Sequence, residues 1–133
     1  MEVAYWFLLI AGLMPYGLVQ LARKGGVSNR NPRDGYAALV DERAKRAYAA
    51  HQNSFEVFPM FAVAVLVALQ AGYGTWVLNV LCLLWLALRG VYIYAYLNDR
   101  PSLRSGVFGA GLIVVMAIIT MPLWAPYPTY FQN

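Results

Sequence analysis

The residues best suited to chemistry fall into three short runs. Arg46, Asn53 and Glu56 form the first, Arg89, Tyr92 and Tyr96 the second, and Arg104 with Ser105 the third. On a helix, the seven-residue step from Arg46 to Asn53 sets one almost over the other, with Glu56 about 60° away. Steps of three and four residues from Arg89 to Tyr96 make a second polar stripe, leaving Tyr94 on a different face. Arginine and asparagine donors suit a carboxylate-bearing ligand, with tyrosine hydroxyls near its reactive end. Arg104 has the charge to hold a thiolate or stabilise a developing anion, and Ser105 is a neighbouring hydrogen-bond donor. Structural readings compete with these: Glu56 and Arg89 as a buried ion pair supported by Asn53, and Arg104 as an arginine snorkelling to a membrane interface.

The elements that carry these residues are written in the distribution of charge. Of 133 residues, 61% are apolar and only 12% charged, with a mean hydropathy of +0.53; soluble domains carry about 25% charged residues. Val3 to Leu21 is a run of 19 residues without a charge, long enough to cross about 28 Å as a helix. Glu2 precedes it and Arg23 and Lys24 follow it, the reverse of a cleaved signal peptide, so the segment is expected to be retained. Between Glu56 and Arg89 there is no charge at all, and Gly72, Tyr73, Gly74 and Thr75 divide that run into a hairpin of two spans. Residues 37 to 54 are rich in alanine and lack proline and glycine, so the first arm should start as helix in or near the aqueous interface. A last span runs from Gly106 to about Leu123; Gly106, Gly109 and Gly111 permit close helix contact, and Pro122 and Pro126 mark its end. The expectation is an all-α integral membrane four-helix bundle, one domain over residues 1–133, with spans near 3–21, 55–72, 75–97 and 106–124. No internal repeat is visible.

Seven of the ten Lys and Arg fall between residues 23 and 46, and Arg100 and Arg104 lie in the segment 98–105, while the turn at 72–75 has none. Both basic segments should face the cytoplasm and both termini the opposite side, with Trp76, Trp124, Tyr127 and Tyr130 as interface anchors. Flanked by hydrocarbon-length runs, the basic cluster reads as a membrane-surface loop and not as a nucleic-acid footprint. One cysteine, Cys82, in an apolar run and one histidine, His51, disfavour disulfide and zinc chemistry. His51 should make a structural hydrogen bond at the interface. A channel or transporter is disfavoured, since neither a broken-helix repeat nor a ring of charges is evident.

Arg46, His51, Asn53, Glu56 and Pro59, then Arg89, Tyr92 and Tyr96, then Pro101, Arg104 and Ser105 together resemble the family of membrane-associated proteins in eicosanoid and glutathione metabolism, the MAPEG family. Its members include microsomal glutathione transferases and the leukotriene and prostaglandin synthases. The resemblance extends over nearly the whole chain in length, span count and topology. It implies a homotrimer of left-handed four-helix subunits, with glutathione as co-substrate bound between neighbouring subunits near the cytoplasmic face. It also implies that Asn53, Glu56, Arg89, Tyr92 and Tyr96 contact glutathione, that Arg46 supports them, that Arg104 stabilises the thiolate, and that Ser105 matches the serine following that arginine in the prostaglandin synthase. Arg104, Tyr92 and Tyr96 are thus the expected catalytic set.

Two positions depart from the pattern. Ala49 stands where the synthases carry an arginine that helps hold glutathione, and Gln52 replaces a second one found in the prostaglandin synthase. A hydrogen bond to a charged group contributes about 1.5–3 kcal/mol, so cationic anchoring should be weaker here, with Arg23 or Lys24 supplying part of the missing charge. The expected function is a membrane glutathione transferase or glutathione-dependent peroxidase acting on lipophilic small molecules that enter from the bilayer lipids. The alternative is a non-catalytic member that binds lipid or serves as an accessory subunit of a membrane complex. The expected localisation is a bacterial inner membrane.

Overall fold

A computed structural model describes residues 3–126. The chain folds as α1 (Ala4–Arg23), α2 (Pro32–Ala37), α3 (Glu42–Gln70), α4 (Trp76–Leu97), α5 (Pro101–Ile119) and α6 (Met121–Trp124). The four longer helices, α1, α3, α4 and α5, are each long and apolar enough to cross a membrane, and the protein is an integral membrane protein. Of the expected interface anchors, Trp76 and Trp124 are exposed, whereas Tyr127 and Tyr130 lie outside the described residues.

Small side chains decide which faces meet. On α1 the buried positions are Ala4, Ala11, Pro15, Leu18 and Ala22, and on α3 they include Ala44, Ala47, Ala50, Ala64 and Ala68. In hydrocarbon, helices gain nothing by hiding apolar surface from each other, so association rests on close backbone approach, which alanine permits. Accordingly α1 packs along α3, while α4 packs along α5 and both touch α3. Larger side chains, Phe61, Leu78, Trp85, Ile118 and Met121, fill the centre. Outward faces carry Trp6, Leu9, Ile10, Leu13, Leu83, Ile113 and Met116, apolar residues that a soluble bundle would not leave exposed.

The basic segment between α1 and α3 is more ordered than a plain loop. Pro32 occupies the first turn of α2, where its missing N–H costs nothing, and Tyr36 stacks on Tyr48 of α3 with ring centroids 4.4 Å apart. Gly25 permits the segment to lie against α3: a Cβ there would stand 2.6 Å from Leu39 and 2.7 Å from Ala44. Asp41 caps α3, its carboxylate accepting from the Ala44 N–H at 2.7 Å, so the helix begins at Glu42, well ahead of the apolar run. His51 Nδ1–H donates to the Pro15 carbonyl at 2.7 Å and ties α3 to α1.

Both remaining turns are tight. α3 closes on Gly72, at φ +83°, with Tyr73 N–H bonding Ala68 O and Gly72 N–H bonding Leu69 O, the Schellman pattern. α4 ends in the same way on Asp99, at φ +53°, with Arg100 N–H on Ala95 O and Asp99 N–H on Tyr96 O. Pro101 then opens α5 directly. Of the segment 98–105, expected from the sequence to precede a last span starting only at Gly106, residues 98–100 alone form the turn: α5 starts five residues ahead of Gly106, and Arg104 and Ser105 are helical. A proline suits the first turn of a helix and supplied the start that the glycines concealed.

Candidate functional site

One face each of α3, α4 and α5 lines a partly open cavity of about 240 Å³. Asn53 and Glu56 from α3 and Arg89 from α4 form its polar end, and Val57, Met60, Trp85, Val107, Phe108, Gly111, Leu112 and Val115 form the rest. One end of each polar stripe, Asn53 with Glu56 and Arg89, therefore turns toward a shared space, whereas Arg46, Tyr92 and Tyr96 do not line it.

The contacts at that end differ from the simple ion pair that the charges suggested. Arg89 is buried, at 4% exposure, and donates from Nη1 to Asn53 Oδ1 at 3.2 Å and from Nη2 to Ser54 Oγ at 3.1 Å. Asn53 in turn donates from Nδ2 to Glu56 Oε2 at 3.3 Å. Glu56 and Arg89 do not touch as an ion pair, since the amide of Asn53 stands between them; among the described residues the salt bridge is Lys45–Glu42. Ser54 passes the chain on, donating to the Ala50 carbonyl at 2.8 Å. A guanidinium has five N–H donors, so Arg89 keeps capacity beyond the two it uses here.

Ser54 was not singled out in the sequence. It lies about 100° around the helix from Asn53, off the expected stripe, and only the approach of Arg89 between the two positions makes both acceptors. Phe108 and Trp85 were missed as well; Phe108 stands one turn after Arg104 and Trp85 one turn before Arg89, which is the signal that spacing could have supplied.

A second group lies beside the first, at the α4–α5 turn. The Arg89 guanidinium sits 4.2 Å from the Tyr92 ring centroid, Tyr92 and Tyr96 meet edge to face at 5.7 Å, and the Arg104 guanidinium lies 4.4 Å over Tyr96. Tyr92 is also 6.1 Å from Phe108, which joins this row to the cavity wall. Arg104 is in the first turns of α5, whose N-terminus has no side-chain cap. Orphan N–H groups and the positive end of the helix dipole repel a cation and attract an anion there. The Tyr96 ring offsets part of that repulsion, and a bound anion would offset more.

The remaining expected residues stand apart. Tyr92, Tyr96 and Arg104 adjoin the cavity without lining it. Ser105 is exposed on α5 and its hydroxyl makes no hydrogen bond among the described residues. Arg46, about two turns before Asn53 on α3, has its Nε buried without a partner among the described residues. Ala49 and Gln52 place no cation near either group.

The arrangement can hold an anionic polar ligand against Arg89 and Asn53, present a carboxylate, Glu56, to an amine, and keep an apolar body in the cavity below. No curated protein and no solved structure matches the chain significantly. A profile of the MAPEG family does match it, from residue 3 to residue 124, and across nearly its whole length this chain belongs to the MAPEG family.

Proposed function

We propose that the protein is a membrane glutathione transferase or glutathione-dependent peroxidase for lipophilic substrates, working as a homotrimer of left-handed four-helix subunits. Family members often use glutathione, and the donor set suits that tripeptide. The observation that carries the reading is Arg89, a buried guanidinium with no carboxylate partner among the described residues, opening onto a cavity whose far end is apolar. A buried cation normally requires a counter-charge, and a glutathione carboxylate is one. Arg46, with its unpartnered Nε, is a second donor in reserve. Glu56, which accepts a single bond from Asn53, has room for the glutathione amine.

In this reading Arg104 holds the thiolate, aided by the uncapped α5 N-terminus and by the hydroxyl of Tyr92 or Tyr96. Glutathione supplies the sulfur nucleophile, which adds to an electrophilic carbon, or attacks the outer oxygen of a hydroperoxide so that the O–O bond breaks, the alcohol leaves and the resulting sulfenic acid is converted by a second glutathione to disulfide and water. Ser105 assists from the same turn of α5. The left-handed crossing is supported by the buried α1 positions Ala4, Ala11, Pro15, Leu18 and Ala22, whose steps of seven, four, three and four follow a heptad seam. The chain is read as one domain, in a bacterial inner membrane, with the basic α1–α3 segment in the cytoplasm and both termini opposite.

A second reading, a non-catalytic member that binds lipid or joins a larger membrane complex, is favoured by Ala49 and Gln52, which leave the polar end short of cations. Titrating the detergent-purified protein with glutathione, while following thiolate absorbance and turnover of an aromatic electrophile, separates the two. Saturable thiolate formation with turnover supports the enzyme; no saturable binding up to millimolar glutathione removes it in favour of the second reading.

A further inference from the structure

Trp85 sits in the cavity wall with its ring stacked on Phe61, centroids 3.9 Å apart and planes 2° from parallel. The residue as a whole is 4% exposed, and its indole N–H, which stays reachable from the cavity, has no acceptor among the described residues, a donor that usually finds a partner. The nitrogen faces a notch. A Cβ added to Gly111, itself part of the cavity wall, would lie 3.9 Å from Trp85 Nε1 and meet nothing closer.

We infer that the Trp85 N–H anchors the remote end of the lipophilic co-substrate, an apolar molecule carrying a hydrogen-bond-accepting oxygen such as a keto, ester or nitro group. Gly111 follows Arg104 by seven residues on α5, about 10 Å along the helix. An acceptor at Trp85 is therefore too far from Arg104 to be the group activated by the thiolate, and the electrophilic carbon lies on the order of 10 Å from it. The whole cavity, polar end included, exceeds the roughly 150 Å³ that accommodates benzene, so its apolar part admits a molecule no larger than an aromatic ring with a short substituted chain. Trp85 and Gly111 thus set substrate length and the position of its polar group. This deepens the transferase reading and rests on it only for the role of the electrophilic end.

The test omits glutathione. Benzylacetone, which has a keto oxygen, and butylbenzene, which lacks one, are titrated by calorimetry into the detergent-purified protein and into Trp85→Phe, which keeps a ring on Phe61. The affinity ratio of ketone to hydrocarbon is expected to fall about tenfold in the variant, the loss of one buried hydrogen bond; an unchanged ratio overturns the proposal. In a Trp6→Phe, Trp76→Phe, Trp124→Phe background, Trp85 is the remaining indole of the four. Benzylacetone should then produce a saturable emission change that Gly111→Leu abolishes, and a change that persists in that variant also overturns it. Both measurements stand whether or not the protein binds glutathione, so failure of the transferase reading is told apart from failure of this one.

Discussion

The guanidinium of Arg104 lies 4.4 Å over the ring of Tyr96, and a turn of three residues between two helices is what brings them together. Such a contact contributes about 0.5–2 kcal/mol. Tyr96→Phe keeps the ring face and should retain most glutathione-dependent turnover, losing only the hydroxyl. Tyr96→Leu removes the face, leaves Arg104 unsupported at a positive helix end, and should lower kcat/KM by roughly two- to thirty-fold. Steady-state kinetics on both variants checks the difference between them.

The turn itself is strained at Asp99, which holds φ +53°, a region costing a side-chain-bearing residue about 1–2 kcal/mol. Asp99→Gly should raise thermal stability by up to about 1 kcal/mol, and Asp99→Val should lower it by more. Thermal unfolding followed by circular dichroism in detergent reads both, with Arg104-dependent activity lost in the valine variant.

Gly25 leaves no room for a side chain, with Leu39 and Ala44 at 2.6 and 2.7 Å from a built Cβ. Gly25→Ala should therefore cost about 1–3 kcal/mol by overpacking, and it should detach the basic segment from α3. Limited proteolysis between Arg23 and Asp41 would become faster in the variant than in the parent.

The cation deficit at the polar end is open to repair. Ala49→Arg, with or without Gln52→Arg, should tighten glutathione binding by about tenfold or more, since one charged hydrogen bond is worth about 1.5–3 kcal/mol. Calorimetric titration reads the change. Unaltered affinity in both variants would show that positions 49 and 52 do not face the ligand.

Four apolar helices were legible in the sequence because hydrocarbon forbids charge over a span's length, and the uncharged runs between Glu2 and Arg23, between Glu56 and Arg89 and after Arg104 record that directly. The shared cavity for Asn53, Glu56 and Arg89 was also legible, from helical spacing on two arms of a hairpin. The partner of each charge was not. Whether Arg89 met Glu56 or Asn53 and Ser54 depended on the rotation of α4 against α3, which packing decides. Nor was α2 visible, being six residues within a polar segment; its position depends on Tyr36 finding Tyr48. The pairing of Arg104 with Tyr96 required a left-handed Asp99, at a position where glycine is the usual signal. The unpartnered N–H of Trp85 belongs to packing alone.

The relay from Glu56 through Asn53 to Arg89 is the centre of the account, and Asn53→Ala cuts both of its links while leaving the helix intact. Equilibrium dialysis of labelled glutathione against the detergent-purified protein and this variant measures what the relay does. Saturable binding in the parent, weakened about tenfold or more in Asn53→Ala with unchanged helicity, is the predicted result. Equal binding by the two proteins, or none by either, would contradict it.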